Sequence, residues 1–453
     1  MRGNEVLYKV AFVSLGCDKN LVDSENMLGL LAQEGFCLSS EEHKADVLVV
    51  NTCCFIEDAK KESIEQILEV ARFKQEGECK ALIVTGCMAQ RYKDEILTEM
   101  PEVDAVVGTT SYDKIASIAN KILSEKGVKV SDFEHIDKYH IENLPRVLTT
   151  AGYFAYIKIA EGCDNKCTYC IIPQLRGRFR SRKQSQILEE ISNLASNGVT
   201  EVILIAQDTT KYGYDLNSSH NLVTLIREIS KTEQIEWIRI MYCYPENITD
   251  ELIDEMASND KVCKYLDMPI QHSSNNILKR MARKSRNDEL RATISKLRNV
   301  MPDIALRTSL IVGFPNETEE DFNNLCAFVE DVKFDRLGVF TYSQEEGTVA
   351  AEFDNQIDED IKFKRKEVIM NLQQDISYEL MQQKVGKTMK VLIEGRIPDE
   401  GVYIGRTYQD APDVDSQVFV HSEEELLSGD YIEAKITSAN EYDLVGEFYK
   451  YSR

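Results

Sequence analysis

Short apolar runs alternate with longer stretches of helical period along the first 125 residues, and this alternation restricts the fold more than any other feature of the sequence. The apolar runs are Val10–Leu15, Val47–Val50, Ala81–Val84 and Ala105–Val107. Such runs are typical of parallel strands that are buried on both faces. The pattern predicts an α/β fold that begins with an open parallel-sheet domain at residues 6–125. The mixed polar residues 126–150 show no sustained period and are interpreted as a linker.

The alternation resumes after Tyr153 and continues through six further candidate strands. They are Phe154–Ala160, Glu201–Ile205, Trp237–Tyr242, Tyr265–Ile270, Ala305–Val312 and Leu337–Tyr342. Helical stretches separate them, so residues 151–384 are predicted to form a partial (β/α)6 barrel, open on one side. Residues 385–453 contain five short candidate strands with Gly, Pro and Asp turns, which predicts a small five-stranded β-barrel.

Length, cysteine content and charge limit the class of protein. A chain of 453 residues suggests about three domains. No apolar run approaches the ~18–20 residues that span a bilayer and none resembles a signal peptide, so a cytoplasmic protein without membrane contact is expected. Twelve cysteines in that compartment favour metal binding, catalysis or burial over disulfides. A net charge of −24 favours a cationic partner, although a local basic stripe would still allow RNA binding.

Three cysteines stand close together after the first strand of the predicted barrel. Cys163, Cys167 and Cys170 have the spacing Cys-x3-Cys-x2-Cys. Three thiolates on one loop can bind three irons of a [4Fe–4S] cluster and leave the fourth iron open to a small molecule with adjacent amine and carboxylate groups. The alternatives are a zinc site, for which a fourth nearby ligand is missing, and an accidental grouping.

A second set of cysteines follows the predicted strands of the N-terminal domain. Cys17, Cys53 and Cys87 each come after one apolar run, at steps close to the length of one β/α unit. Equivalent ends of parallel strands lie at the same edge of a sheet, so these three thiols are expected to converge. The small or polar residues before each cysteine leave room for a cluster. The alternative is three buried thiols without a ligand.

These motifs resemble those of radical S-adenosylmethionine (SAM) enzymes, and the stretch Ala160–Arg182 resembles the methylthiotransferase family. The resemblance implies two [4Fe–4S] clusters, one on each cysteine set, and SAM as cofactor. It implies no catalytic residues beyond the six cysteine ligands. It also implies SAM contacts at the following positions: Tyr169 inside the cysteine loop, Gln207 in Ala206–Thr209, and Arg307 and Gly313 in Arg307–Pro315.

Within this family the chain resembles the RimO-like group, which modifies the β-carbon of an aspartate in ribosomal protein S-twelve. The resemblance rests on Ser14–Glu25 and on Gly405–Arg406 followed by Asp410–Asp415, in a barrel similar to the TRAM module. It implies that SAM is both methyl donor and radical source, that an electron donor is needed, and that S-twelve or the small ribosomal subunit is the partner. Residues 385–453 hold 14 acidic and 7 basic residues, which independently disfavours a phosphate backbone.

Two other functions stay open at this stage. One is methylthiolation of an adenosine next to the anticodon of tRNA, although the acidic barrel argues against tRNA as a partner. The other is an iron–sulfur sensor without turnover. The alternating arginines of Arg176–Arg182 are either a solvated face or a carboxylate-binding group. Cys54 follows Cys53 where the family usually has glycine, and its role is left open.

Overall fold

The computed structural model describes residues 7–138, 144–216, 220–398 and 400–452. Residue 6 at the predicted start of the first domain, residue 453 at the predicted end of the barrel, and residues 139–143 of the predicted linker lie outside these ranges. In the described ranges, no helix combines the length and the apolar character needed to cross a membrane.

The N-terminal strands form a parallel sheet in the order β2-β1-β3-β4-β5-β6. The strands are β1 Lys9–Ser14, β2 Cys37–Leu38, β3 Val47–Thr52, β4 Ala81–Gly86, β5 Ala105–Val107 and β6 Val130–Asp132. The helices are α1 Asp18–Gln33, α2 Glu57–Ala71, α3 Phe73–Glu76, α4 Cys87–Tyr92, α5 Asp94–Glu99 and α6 Ile115–Ser124. Two separate apolar clusters cover the two faces of this sheet. This is expected because its strands are continuous apolar runs and do not alternate apolar with polar residues. Strand β6 lies inside the predicted linker and extends the sheet beside β5.

The central strands form a second parallel sheet whose spatial order follows the chain, β7-β10-β11-β12-β13-β14. These strands are β7 Phe154–Lys158, β10 Glu201–Ile205, β11 Trp237–Ile240, β12 Val262–Asp267, β13 Ala305–Val312 and β14 Arg336–Thr341, with a short pair, β8 Ala160–Glu161 and β9 Arg180–Ser181, beside them. The helices are α7 Ile172–Arg176, α8 Gln184–Ser196, α9 Leu222–Ile229, α10 Asp250–Ser258, α11 Asn275–Arg280, α12 Asn287–Val300, α13 Glu319–Val332 and α14 Glu359–Gln382. The sequential order confirms the predicted partial barrel.

The C-terminal strands close into a barrel in the order β15-β16-β17-β19-β18, which confirms the predicted five-stranded barrel. Its strands are β15 Thr388–Ile397, β16 Val402–Thr407, β17 Val418–His421, β18 Tyr431–Ala439 and β19 Leu444–Tyr451. Val391, Val420 and Ile432 are among the apolar residues that fill its interior. Closure pairs every strand on both sides, so the barrel has no free edge.

The small barrel packs against one face of the central sheet, whereas the helices cover the other face. Phe154 and Trp237 of the sheet form an apolar cluster with Leu392 and Tyr431 of the barrel. Arg406 on β16 also ion-pairs with Glu201 on β10, and both side chains are buried. The Nε of Arg406 also donates a hydrogen bond to a carboxylate oxygen of Glu394 at 2.7 Å. The barrel is therefore joined to the central sheet by a mixed apolar and ionic interface.

Candidate functional site

The Cys163–Cys170 loop leaves strand β8 and is fixed by backbone contacts on both sides. The amide of Cys163 donates to the carbonyl of Gly177 at 3.0 Å, and the amide of Cys170 donates to the carbonyl of Cys167 at 3.1 Å. The hydroxyl of Thr168 donates to the carbonyl of Arg280 at 2.9 Å, which ties the loop to the end of α11. The three thiols are thus held on one short, anchored segment.

The protonation of these thiols reflects their burial and their closeness. Burial raises the pKa of Cys163 to about 11, and the neighbouring thiol of Cys167 adds to the rise. Burial also raises the pKa of Cys170, with further contributions from Cys167 and Cys163. The raised pKa values of Cys163 and Cys170 mean that negative charge on these sulfurs is unfavourable unless a cation compensates it. Iron binds thiolates and supplies that compensation, so this group fits an iron–sulfur cluster.

The three cysteines of the N-terminal domain lie at one edge of its sheet. Cys17 directly precedes α1, Cys53 directly follows β3, and Cys87 opens α4 after β4. Gly16 has φ +88°, and a Cβ at this position would lie 3.0 Å from the sulfur of Cys53. Burial raises the pKa of Cys53 to about 12, and the thiols of Cys87 and Cys17 raise it further. The expected convergence of the three thiols is therefore present.

Three thiols in each group match the number of protein ligands of a [4Fe–4S] cluster that leaves one iron open. Across the described part of the chain, no three His, Cys, Asp or Glu side chains are arranged to hold one ion. The ligands of a [4Fe–4S] cluster each bind a different iron, so they stand further apart than ligands that share one ion. In each set the thiols are close enough to interact electrostatically.

Arg176 joins the two thiol groups. Its guanidinium lies 3.7 Å from the sulfur of Cys87 and ion-pairs with Asp23 on α1 at 2.6 Å and with Glu161 at 3.3 Å. Arg176 is 2% exposed, so the solvated-face interpretation is wrong for it. The carboxylates it holds are the chain's own. Arg178, two residues on, is 85% exposed at its side chain and does fit the solvated face.

Lys158 and Gln207 complete a buried polar network around Glu161, two residues before Cys163. The ammonium of Lys158 ion-pairs with Glu161 at 2.8 Å and with Asp23. The amide of Gln207 donates to Glu161 at 2.7 Å. Because Asp23 lies on α1, just after Cys17, the network links the loops of both cysteine sets. Gln207, predicted as a SAM contact, is thus placed beside the Cys163 loop.

A second link runs through Tyr242, which directly follows the β11 region. Tyr242 has φ +61°, an uncommon conformation for a residue with a side chain. Its hydroxyl donates to Asp18 at 2.9 Å, and its amide donates to Asp267 at 3.0 Å. Asp18 is adjacent to Cys17. The first N-terminal cysteine loop is therefore fastened to the ends of two central strands.

The other residues predicted to contact SAM have different surroundings. Tyr169 packs against an apolar cluster that includes Phe314 and Tyr342. Gly313 has φ +72°, and the space a Cβ would need is taken by the side chain of Lys362, at 2.2 Å, so a protein contact already explains this glycine. Approach to SAM at either position stays a prediction.

Arg307 is engaged in ion pairs with two carboxylates of the chain. Its guanidinium lies 2.9 Å from Asp267 and 3.4 Å from Asp415, the last residue of the Asp410–Asp415 motif. It therefore joins the central sheet to the small barrel. The sequence gives no sign of this role because Asp415 is more than a hundred residues away.

Two further residues near the thiols were not predicted. Arg283 is buried, its guanidinium carbon lies 4.1 Å from the ring centre of Tyr244, and its Nε and Nη1 have no hydrogen-bond partner in the described chain. The hydroxyl of Tyr244 lies 3.6 Å from the sulfur of Cys167. Neither residue has a diagnostic spacing, so only the fold reveals them. Cys54 is fully buried in an apolar cluster that also contains Cys87, and its thiol interacts electrostatically with Cys87 and Cys53.

Family models match three segments of the chain. Residues 9–108 match the "Uncharacterized protein family UPF0004", residues 157–329 match the "Radical SAM superfamily", and residues 385–448 match the "TRAM domain". The segments cover most of the N-terminal sheet, the central sheet and the small barrel, respectively.

Several curated proteins are similar to the chain over its whole length. The "Ribosomal protein uS12 methylthiotransferase RimO" of Lachnoclostridium phytofermentans is 54% identical over 438 residues, which cover 97% of this chain and 99% of that protein. The protein of the same name from Clostridioides difficile is 52% identical over 443 residues, with coverage of 97% and 99%.

Solved structures show a likeness of fold. The radical S-adenosylmethionine methyltransferase TsrM from Kitasatospora setae, with cobalamin and a [4Fe-4S] cluster bound, aligns with a TM-score of 0.53 at 13% identity over 74% of this chain and 75% of that chain. The cobalamin-dependent S-adenosylmethionine radical enzyme OxsB aligns with a TM-score of 0.50 at 13% identity over 81% and 56%.

Proposed function

This chain belongs to the family of ribosomal protein uS12 methylthiotransferases, and we propose that it transfers a methylthio group to the β-carbon of an aspartate in that ribosomal protein. The observation that carries the proposal is the presence of two separate thiol triads, joined by the buried network of Arg176, Asp23 and Glu161. One triad is enough for a radical SAM enzyme that transfers no sulfur. A second triad beside it supports sulfur transfer.

Two [4Fe–4S] clusters are the groups that these triads would hold. Cys163, Cys167 and Cys170 would bind one, and the residues that would bind the other are Cys17, Cys53 and Cys87. When bound, the clusters and SAM supply a radical able to attack an unactivated C–H bond and a methylated sulfur to add to it, chemistry that ordinary acid–base side chains lack. An external electron donor is part of the proposal.

The residues between the triads hold them in one rigid unit. Asp23 and Glu161 keep Lys158 and Arg176 in place, and all four side chains are buried. Arg176 brings a positive charge next to the sulfur of Cys87, which offsets the negative charge of a thiolate.

The acidic barrel supports a basic protein partner. Asp410, Asp415 and Glu394 pair with arginines of the chain itself, so they are not free to contact a partner. The run Glu423–Glu425 is exposed. Exposed carboxylates attract a basic ribosomal protein and repel a phosphate backbone, so we propose the cytoplasmic small subunit or free uS12, and not tRNA, as the substrate.

The substrate is tested by supplying both candidates in parallel. The protein is reconstituted anaerobically with iron and sulfide, then given SAM, a reductant and either uS12 or an anticodon stem-loop RNA. Mass spectrometry is expected to find a methylthio group on the protein alone. Addition to the RNA alone would overturn the proposed substrate.

The two-cluster model is tested by separate removal of each triad. Cys163→Ala is expected to abolish formation of 5′-deoxyadenosine. Cys17→Ala is expected to retain that formation but to lose methylthio transfer. Cys326→Ala, a thiol outside both triads, serves as the matched control and should keep both activities. Methylthio transfer by the Cys17 variant would contradict the model.

A further inference from the structure

Lys19 is a buried cation next to the first N-terminal cysteine. It is the second residue of α1, two positions after Cys17, and is only 5% exposed. Its ammonium nitrogen lies 2.8 Å from the centre of the Tyr242 ring. Tyr242 is itself fixed by its hydrogen bonds to Asp18 and Asp267. The aromatic ring therefore holds the lysine side chain in one position between the N-terminal domain and the ends of the central strands.

Lys19 differs from the other buried cations of this region in its partners. Lys158 and Arg176 each have two carboxylate partners within 4 Å. Lys19 makes no ion pair and no hydrogen bond through its ammonium to any residue that the structure describes, and its one close contact is the Tyr242 ring. A buried ammonium is costly unless a counter-charge is near. A cation–π contact replaces only part of the lost hydration.

Several anionic groups surround Lys19. Cys17, Asp18, Asp267 and Glu161 all interact electrostatically with its ammonium, and none of them forms an ion pair with it. A substrate carboxylate that approached Lys19 would be repelled by these groups. The nearby guanidinium groups of Arg176 and Arg307 already pair with carboxylates of the chain, so among the described residues Lys19 and the positive N-terminal end of α1 remain to attract an anion.

We infer that the Lys19 ammonium, held on the Tyr242 ring, binds the side-chain carboxylate of the target aspartate. The inference rests on the proposed function and adds the residue that selects the substrate side chain. The carboxylate stands one bond from the β-carbon, so a cation that binds it also holds the reacting carbon between the two thiol triads. A site built on a charge of this kind rejects the uncharged amide of asparagine.

The other carboxylate available to Lys19 is that of SAM. Arg283 is a competing anchor for SAM, since it lies beside Tyr244 and the Cys163 loop and has unpartnered donors. Lys19, by contrast, belongs to the Cys17 loop of the N-terminal domain. This separation favours the protein substrate as the partner of Lys19.

The test compares uS12 with uS12 that carries Asn at the target position. Both proteins are titrated onto the reconstituted enzyme with SAM under anaerobic conditions, and dissociation constants are measured by fluorescence anisotropy. The enzyme forms are the unaltered chain, Lys19→Met, Lys19→Arg and, as a matched control, Lys126→Met, which changes an exposed lysine. Iron content and the KM for SAM in 5′-deoxyadenosine formation are measured for each form.

The unaltered chain and the Lys126 variant are expected to bind the aspartate protein about 30-fold more tightly than the asparagine protein. In Lys19→Met this ratio should fall towards one with the iron content unchanged, and Lys19→Arg should restore part of it. If Lys19 had only a structural role, Lys19→Met would weaken the binding of both forms of uS12 equally. The ratio of their dissociation constants would then stay unchanged.

Three results would overturn the inference. One is an equal affinity of the unaltered chain for the aspartate and asparagine forms of uS12. This result can be obtained without any enzyme variant. Another is a ratio that survives in Lys19→Met. A third is a raised KM for SAM in that variant with the ratio unchanged, which would assign Lys19 to SAM. In each case methylthio transfer to uS12 would persist and the proposed function would stand. Absence of that transfer in the unaltered chain would overturn both.

Discussion

Replacement of Lys384 by methionine is expected to stabilise the protein at neutral pH. Lys384 follows α14 where the chain enters the small barrel and is 7% exposed. Burial, with help from the nearby Arg336, lowers the pKa of Lys384 to about 8 from its ordinary value of 10.5. The gap between these values corresponds to ~3 kcal/mol. Methionine fills a similar volume without charge, so Lys384→Met should recover most of that free energy.

The sign of the effect follows from the two protonation states. Below pH 8 the lysine is protonated in the folded and unfolded chain, so the folded state carries the full cost of burying the charge. Between pH 8 and 10.5 the unfolded chain binds more protons, and the stability of the unaltered protein rises with pH. Above that range both states are neutral and the cost is gone. The advantage of the methionine variant should therefore shrink as the pH rises.

The measurement is thermal unfolding of the reconstituted protein under anaerobic conditions at several pH values. At pH 7 the Tm of Lys384→Met should rise by roughly 5 °C, and the difference should close only above pH 10.5. Lys387→Met, three residues further on and exposed, is the matched control and should not change the Tm. An unchanged or lower Tm for Lys384→Met at pH 7, or a gain that does not depend on pH, would refute the reasoning.

Three further predictions concern the site and its supports. Gly313→Ala should destabilise the chain by about 2 kcal/mol or more because of its positive φ and the close Lys362 side chain, whereas Gly338→Ala, with its nearest neighbour at 3.9 Å, should leave the Tm unchanged. Cys54→Ala should keep the full iron content and Cys53→Ala should lose about half, as measured by iron assay, because Cys53 interacts with both Cys87 and Cys17 whereas Cys54 is fully buried. Arg283→Met should raise the KM for SAM in 5′-deoxyadenosine formation about tenfold with both clusters retained; an unchanged KM would contradict a role in SAM binding.

The convergence of Cys17, Cys53 and Cys87 could be predicted from sequence because strand order alone determines it. Successive parallel strands carry their ends to one edge, whatever the details of packing. Strand β6 could not be predicted because a three-residue edge strand has no detectable period. The positions of the main sheets followed from hydrophobic pattern, which depends on burial and not on specific partners.

The roles of the charged residues could not be predicted, since their partners are remote in sequence. Asp23 and Lys158 are separated by 135 positions, and Arg307 meets Asp415 across the interface with the small barrel. The arginine run illustrates the limit. Its spacing suggested a carboxylate ligand or a solvated face, but only the fold shows that Arg176 is enclosed by the chain's own carboxylates whereas Arg178 is exposed.

The interface between the small barrel and the central sheet limits how these enzymes can be recombined. Arg406 enters the sheet from the barrel and meets Glu201, which Arg239 of the neighbouring strand also holds at 2.9 Å. A chimaera that takes its barrel from another protein keeps Glu201 and Arg239 but receives a new residue at position 406. Unless the new residue is a cation with a side chain as long as arginine, the buried carboxylate of Glu201 loses one of its two arginine partners. Exchange of the barrel therefore requires the matching strand residues to be transplanted with it.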